Sequence, residues 1–331
     1  MAGYRYTFKK FLKDWMLIIG MAVGAGAYLV YHSLPALHPA GPVLLKICRT
    51  LQPWLLFAML FLSFCRIEPR QMRLRPWHLS LLLIQGASFV GLTLLLVWAA
   101  GHQGALAAWL QAQRLPIEAA LLCLICPTAT ACAVVTGKLG GNMADVVTYT
   151  VLINVLVALL VPAFIPLLYP SGEWGFWEAF WKILSKVFPI LIAPWLAAWL
   201  LRWLWPALHA RLQGYSQLSF YIWAFSLTLA ILMSTRAIVQ NENAVLALAG
   251  IALATLLSCI FQFWAGKRIG ARYGSGISAG QALGQKNTVF GIWMGYTFLD
   301  PILSVSGGFY SIWHNVFNTW QLYRRRKEME A

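Results

Sequence analysis

Charge is scarce in this sequence, and negative charge scarcest of all. Only 11% of its 331 residues are Asp, Glu, Lys or Arg, and ten of these are acidic. A soluble domain carries about 25% charged residues, so most of this chain's surface must face something other than water. A soluble enzyme is thereby excluded. Residues 77–100 and 146–169 contain no Asp, Glu, Lys or Arg at all, and each run exceeds the ~20 residues that cross a bilayer. Metal-ligand spacing such as HExxH is missing, and no Ser and His stand in a hydrolase nucleophile motif among the apolar segments, so neither a metal site nor an intramembrane hydrolase is expected. The six cysteines, Cys48, Cys65, Cys123, Cys126, Cys132 and Cys259, lie within or beside apolar segments. Thiols there behave as small apolar groups, and no disulfide framework follows. Cys123 and Cys126 form a CxxC pair outside any redox βαβ pattern. No small-residue cleavage site follows the apolar run 15–32, which is therefore read as a permanent span and not a signal peptide.

Present instead is hydrophobicity, at 60% of residues. It divides into ten segments, near 15–32, 43–65, 77–100, 116–136, 143–169, 179–204, 216–238, 244–266, 276–297 and 301–322. The loops between them are short, and no stretch is of low complexity. Only the short stretch 323–331 follows the last segment, so an appended signalling domain is not expected.

The formal net charge of +15 could point to nucleic acid, but its distribution does not. Basic residues cluster at alternate loops, as the positive-inside rule requires of a membrane protein. Arg5, Lys9, Lys10 and Lys13 precede the first segment; Arg66, Arg70, Arg73 and Arg75 follow the second. Lys138, Arg202, Arg211, Lys267, Arg268, Arg272 and the run 324–327 continue the alternation, against Arg114 and Arg236 on the opposite side. Lys182 and Lys186 run against it. The expected arrangement is an integral multi-pass protein in a lipid bilayer with both termini in the cytoplasm and no nucleic-acid partner.

Ten segments split into five and five, and an odd number per half forces the second half to insert upside down relative to the first. The expected fold is all-α, with residues 1–169 and 170–331 as inverted repeats. Such a plan predicts an interrupted span at the same place in each half. The fourth segment holds Cys126-Pro127-Thr128-Ala129-Thr130-Ala131-Cys132-Ala133, then Thr136 and Gly141-Asn142. The ninth holds Gln281-Ala282-Leu283-Gly284-Gln285-Lys286-Asn287-Thr288. Proline removes a backbone donor and glycine permits non-helical angles, so both spans are expected to be discontinuous and to cross. Half-helix N-termini then offer positive dipole ends to an anion.

At Cys126-Pro127, Thr136, Gly141-Asn142, Gly284, Asn287 and Ser311-Ile312-Trp313-His314-Asn315, the chain resembles the bile acid:sodium symporter family and related organic-anion transporters. The resemblance runs over most of the chain. It implies a core domain of segments 3–5 and 8–10, a panel of segments 1, 2, 6 and 7, and transport of a small or amphipathic organic anion. The family's sodium-site pattern is not kept. Sodium-coupled members have Ser-Asn where this chain has Cys132-Ala133, Glu where it has Ala282, and Ser where it has Val146; only the threonine at Thr150 is retained. Hard cations want oxygen ligands with an anion among them, so weak sodium binding is expected.

The family's ninth-segment Gln corresponds to Lys286. An ionisable side chain at membrane depth marks function by default. Here it implies a tethered cation in place of a bound one, or a proton carrier. Thr130, Thr136, Gln281, Gln285, Asn287 and Thr288 are the expected substrate contacts, through uncharged donors and acceptors. Asp145 is the other charge near a crossing, at the start of the fifth segment, either as a helix-start charge or as a partner of Lys286. No cofactor is implied. The open alternatives are a sodium- or proton-coupled symporter of the same fold, an arsenite-type exporter using Cys126 and Cys132, and a non-transporting sensor.

Overall fold

The structure is a computed structural model that describes residues 15–170, 175–215, 218–241 and 244–330. The basic segment ahead of the first span, with Arg5, Lys9, Lys10 and Lys13, lies outside the described residues. Every regular element among those residues is helical. That is the outcome the composition demands: in hydrocarbon each backbone N–H and C=O must be satisfied within the protein, and a helix does so within one segment.

In chain order the α-helices are α1 (Met16–Ser33), α2 (Gly41–Cys65), α3 (Pro76–Ala100), α4 (Ala105–Ala112), α5 (Arg114–Ile125), α6 (Cys132–Lys138), α7 (Met143–Leu168), α8 (Phe176–Leu191), α9 (Ala193–Leu204), α10 (Pro206–Gly214), α11 (Leu218–Val239), α12 (Ala244–Ala271), α13 (Gly276–Gly284), α14 (Thr288–Phe298) and α15 (Val305–Glu330). Five helices are long and apolar enough to cross a membrane: α2 with the turn before it, α3, α7, α11 and α12. A sixth crossing arises if α8 and α9, bent by 43° at Ile192, form one span. Pro194 explains that bend, because it removes the donor to the Ile190 carbonyl and its ring crowds that preceding turn, so the helix restarts at Ala193. The chain is therefore an all-α protein with the helices of a multi-pass membrane protein.

Several boundaries depart from the hydrophobic segments. The fourth segment is α5 plus the short α6, with residues 126–131 outside both; the ninth is α13 plus α14. The tenth begins as a 3-10 turn at Pro301–Ser304 and continues well past residue 322, to Glu330. Helices α4 and α10 occupy stretches read as loops.

Helices α1, α2, α9 and α11 pack on one another, while α3, α5, α7 and α12–α15 form a second body; α8 touches both through α2 and α7, and α11 also packs against α14, α15 and the turn between them. Close approach within the second body depends on small residues. A side chain at Gly266 would place its Cβ 2.6 Å from the Ala279 carbonyl oxygen, and one at Gly270 would strike the Ala279 Cβ. The pair forms a small-xxx-small face that lets α12 lie against α13. Two left-handed glycines turn the chain at the same end of the molecule. Gly140 (φ 87°) closes α6, with the Gly141 N–H donating to the Thr136 carbonyl at 2.9 Å; Gly274 (φ 65°) closes α12, with Ser275 donating to Gly270 at 2.8 Å. Asn142 then caps α7 by accepting from the Asp145 N–H, and Asn287 caps α14 by accepting from the Phe290 N–H, both at 3.2 Å.

A polar clamp stands at the opposite end. The buried Glu118 of α5 accepts from Arg114 Nε at 2.7 Å and from the Tyr169 hydroxyl, while Arg114 also donates to the Leu168 carbonyl at 2.8 Å. It ties α5 to the end of α7.

Candidate functional site at the crossing of two broken helices

The two helix breaks meet. The strand-like stretch after α5 runs antiparallel to the one after α13, with Thr128 bridged to Lys286. Ala129 N–H donates to the Gln285 carbonyl at 2.9 Å, and Asn287 N–H donates to the Pro127 carbonyl at 2.8 Å. The Thr128 hydroxyl donates to the Ala282 carbonyl at 2.8 Å. Buried backbone that leaves a helix needs hydrogen-bond partners inside the protein, and here each break supplies the other's.

The remaining carbonyls at the half-helix ends are closed by side chains from the long neighbouring helices. Gln85 of α3 donates to the carbonyls of Ile125 (3.3 Å) and Cys126 (3.1 Å), and its own oxygen accepts from Tyr149 of α7 at 2.9 Å. Gln262 of α12 donates to the Tyr310 hydroxyl of α15 at 3.0 Å, and Tyr310 donates to the Gly284 carbonyl at the end of α13 at 2.9 Å. A Gln–Tyr pair thus serves each break. Sequence reading missed all four residues. The available signal was an amide, Gln85 or Gln262, inside each of two otherwise apolar spans.

Lys286 lies between these ends. It is 1% exposed and is the one buried Lys or Arg among the described residues. Its Nζ donates a long 3.5 Å hydrogen bond to the Leu124 carbonyl in the last turn of α5. That helix end carries the negative pole of the α5 dipole. Cys123, Cys126 and Cys132, all buried, lie at the end of α5 and the start of α6. Among the described residues no carboxylate forms an ion pair with it. Asp145 pairs instead with Arg75 Nε at 3.2 Å, so it braces the start of α7 and does not partner Lys286.

The other expected site residues divide into two groups. Gln281, Gln285, Asn287 and Thr288 are buried around the crossing. Gln281 Nε2 donates to Gln321 at 3.4 Å, and the Thr288 and Ser311 hydroxyls are 2.8 Å apart. Asn287 Nδ2 and Gln281 Oε1 are buried without a hydrogen-bond partner. Thr130 and Ala133 stand apart, lining with Thr150 a cleft of about 200 Å³ between α2, α6 and α7. Thr136 joins neither group: its hydroxyl donates to the Cys132 carbonyl one turn back in α6 at 2.9 Å. Pro127 and Cys132 flank the α5–α6 break, and Gly284 ends α13 against the Phe263 ring, where a Cβ would lie 2.5 Å from the ring carbons. Val146 and Ala282 are fully buried apolar positions. His314 is also buried, and Asn315 donates to the Ser311 carbonyl at 2.7 Å within α15.

A second cleft, of about 520 Å³, opens on the opposite side of the crossing between α2, α8 and α14, and is lined by Arg49, Lys186, Trp293 and Tyr296. Lys286 lines neither cleft.

No protein-family model matches the chain, and no curated protein sequence matches it.

Proposed function

We propose that this protein is a secondary transporter of a small or amphipathic organic anion, working by alternating access without bound sodium. The observation that carries this reading is the back-to-back junction of two broken helices around a buried, carboxylate-free ammonium. Discontinuous helices at membrane depth are where transporters place their substrates and ions. Lys286 acts here as a tethered cation, filling the electrostatic role of a coupling ion beside the α5 carboxyl end. Fully buried Ala282 and Val146 offer no side-chain oxygen to sodium, consistent with that role.

The same reading makes α1, α2, α3, α5–α6, α7, α8–α9, α11, α12, α13–α14 and α15 ten spans in two inverted halves, with both termini cytoplasmic. The paired caps, Gln85–Tyr149 on one break and Gln262–Tyr310 on the other, come from the third and fifth spans of each half and favour that symmetry. The two clefts on either side of the crossing serve as the approaches from the two membrane faces. Their polar and aromatic lining suits an organic anion, and the resemblance to the bile acid:sodium symporters points the same way.

The test compares thermal stability of purified protein in sodium and in choline chloride, for wild type and Lys286→Ala. The expected result is no sodium shift in wild type and a shift gained in the variant. A clear shift in wild type overturns the tethered cation in favour of ordinary sodium symport. Flux of labelled organic anions into proteoliposomes separates transport from sensing: no flux for any carboxylate tried, alongside measurable ligand binding, favours a sensor.

A further inference from the structure

At the end of the molecule where α12 stops and α15 runs beyond the apolar region, a cleft of about 280 Å³ lies between α12, α13, α15 and the turn after α6. None of the residues that pair the two helix breaks lines it. Lys267, Arg324 and Arg325 line it, against the single carboxylate of Glu328. That carboxylate already pairs with Arg325 at 3.5 Å. The cations are held in place. The stem of Lys267 fills the space left by Gly280 of α13, where a Cβ would come within 2.5 Å of Lys267 Cγ. Arg325 reaches over Gly140, its Nη2 3.2 Å from where a Cβ would stand. Arg324 lies over the Trp320 ring, 5.3 Å from its centroid. Gln321, also in the lining, has a buried amide nitrogen without a partner. Leu139 and Ile277 supply an apolar edge.

We propose that this cleft binds the phosphate headgroup of an anionic phospholipid. Excess positive charge, an unpartnered amide donor and an apolar edge suit a phosphodiester whose acyl chains run down the helix flank. Its position fits a lipid better than a free ion. Trp320, half-exposed on α15, stands where the helix leaves its apolar stretch, the level at which interfacial tryptophans and headgroups meet. The site also touches the machinery. Lys267 leans on α13, and Gln321 in the cleft accepts from Gln281 of α13 at 3.4 Å. A bound headgroup braces the half-helix that ends at the crossing.

The experiment titrates detergent-purified protein with phosphatidylglycerol, with phosphatidylcholine of the same acyl chains, and with inorganic phosphate, reading bound lipid by native mass spectrometry and stability by thermal unfolding. Phosphatidylglycerol is expected to bind and raise the unfolding midpoint, while the other two do neither. Each basic residue near a headgroup is worth about a fivefold change in binding, so Lys267→Gln with Arg324→Gln should weaken binding about 30-fold. The charge-keeping pair Lys267→Arg with Arg324→Lys should retain most of it, which separates lost charge from lost fold. Arg70→Gln with Arg73→Gln, outside the cleft, should leave binding unchanged. Equal stabilisation by inorganic phosphate overturns the lipid assignment, and an equal loss in the Arg70/Arg73 control overturns a local site. Absence of preferential phosphatidylglycerol binding to wild type overturns the proposal whether or not the protein transports anything.

Discussion

Removing an ammonium from water costs several kcal/mol, and Lys286 recovers part of that from one long hydrogen bond to a helix-end carbonyl. Lys286→Met keeps the volume and discards the charge, so it should leave stability unchanged or raise it by about 1–4 kcal/mol. On the proposed transport function, anion flux should be lost as well. A lowered unfolding midpoint would assign the ammonium a structural purpose instead. Glu118 makes the opposite case. Its carboxylate is shared by Arg114 and Tyr169, and Arg114 remains partly in contact with water. Glu118→Gln should therefore cost about 2 kcal/mol, read as a lower midpoint, rather than the larger loss of a fully buried pair. The sequence made Lys286 visible, because a charge stood inside an apolar segment. Arg114 was read only as a basic residue opposite the alternation, and its i,i+4 pairing with Glu118 was missed. Tyr169 as their third member was hidden, since its contact spans about fifty positions of chain. Asp145 was visible as a charge, but its partner Arg75 is seventy positions away, a pairing no local pattern encodes.

Among the elements, the α12–α13 contact leaves least room for change. Gly266→Leu would drive a side chain into the Ala279 backbone, where neither helix can yield without lifting α13 from its bed. The expected loss is about 1–3 kcal/mol or more. Gly91→Leu on α3, with open space around its Cβ position, should stay within about 0.5 kcal/mol of wild type. Thermal unfolding of both variants checks the contrast, and equal effects would remove close packing as the reason. Both helix breaks were legible because Pro127 and the glycines interrupt helical backbone, while the Asn142 and Asn287 caps went unread. The bend at Ile192 was not, because Pro194 sits in a run of apolar residues, 190–193 before it and 195–201 after it, whose hydrophobicity marks no boundary. Helices α4 and α10 escaped for a related reason: each is about two or three turns long, too short for periodicity to declare itself. Thr136 shows the limit of reading a hydroxyl as a ligand, since a helical threonine can donate to its own preceding turn.

For the whole molecule, the two clefts lie between the same two bodies, α2 facing α14 on one side and α6–α7 on the other. If those bodies slide or rock past each other, the clefts must open alternately. Arg49→Cys with Thr297→Cys places a thiol on each wall of the larger cleft. On the proposed transport function, joining them with a reducible bifunctional reagent should stop anion flux, and reduction should restore it. Undiminished flux after complete cross-linking would rule out relative motion of α2 and α14. No local pattern in the sequence encodes which helices group together, because helix partners distant in sequence leave no periodic trace.

All six native cysteines are buried, and this has a use beyond packing. A membrane-impermeant maleimide should leave the resting protein unlabelled, so the wild-type chain is its own silent background for mapping accessibility one introduced thiol at a time. Cys126 and Cys132, beside the break that follows α5, are then built-in reporters. Any ligand that draws label onto them has opened the junction to water.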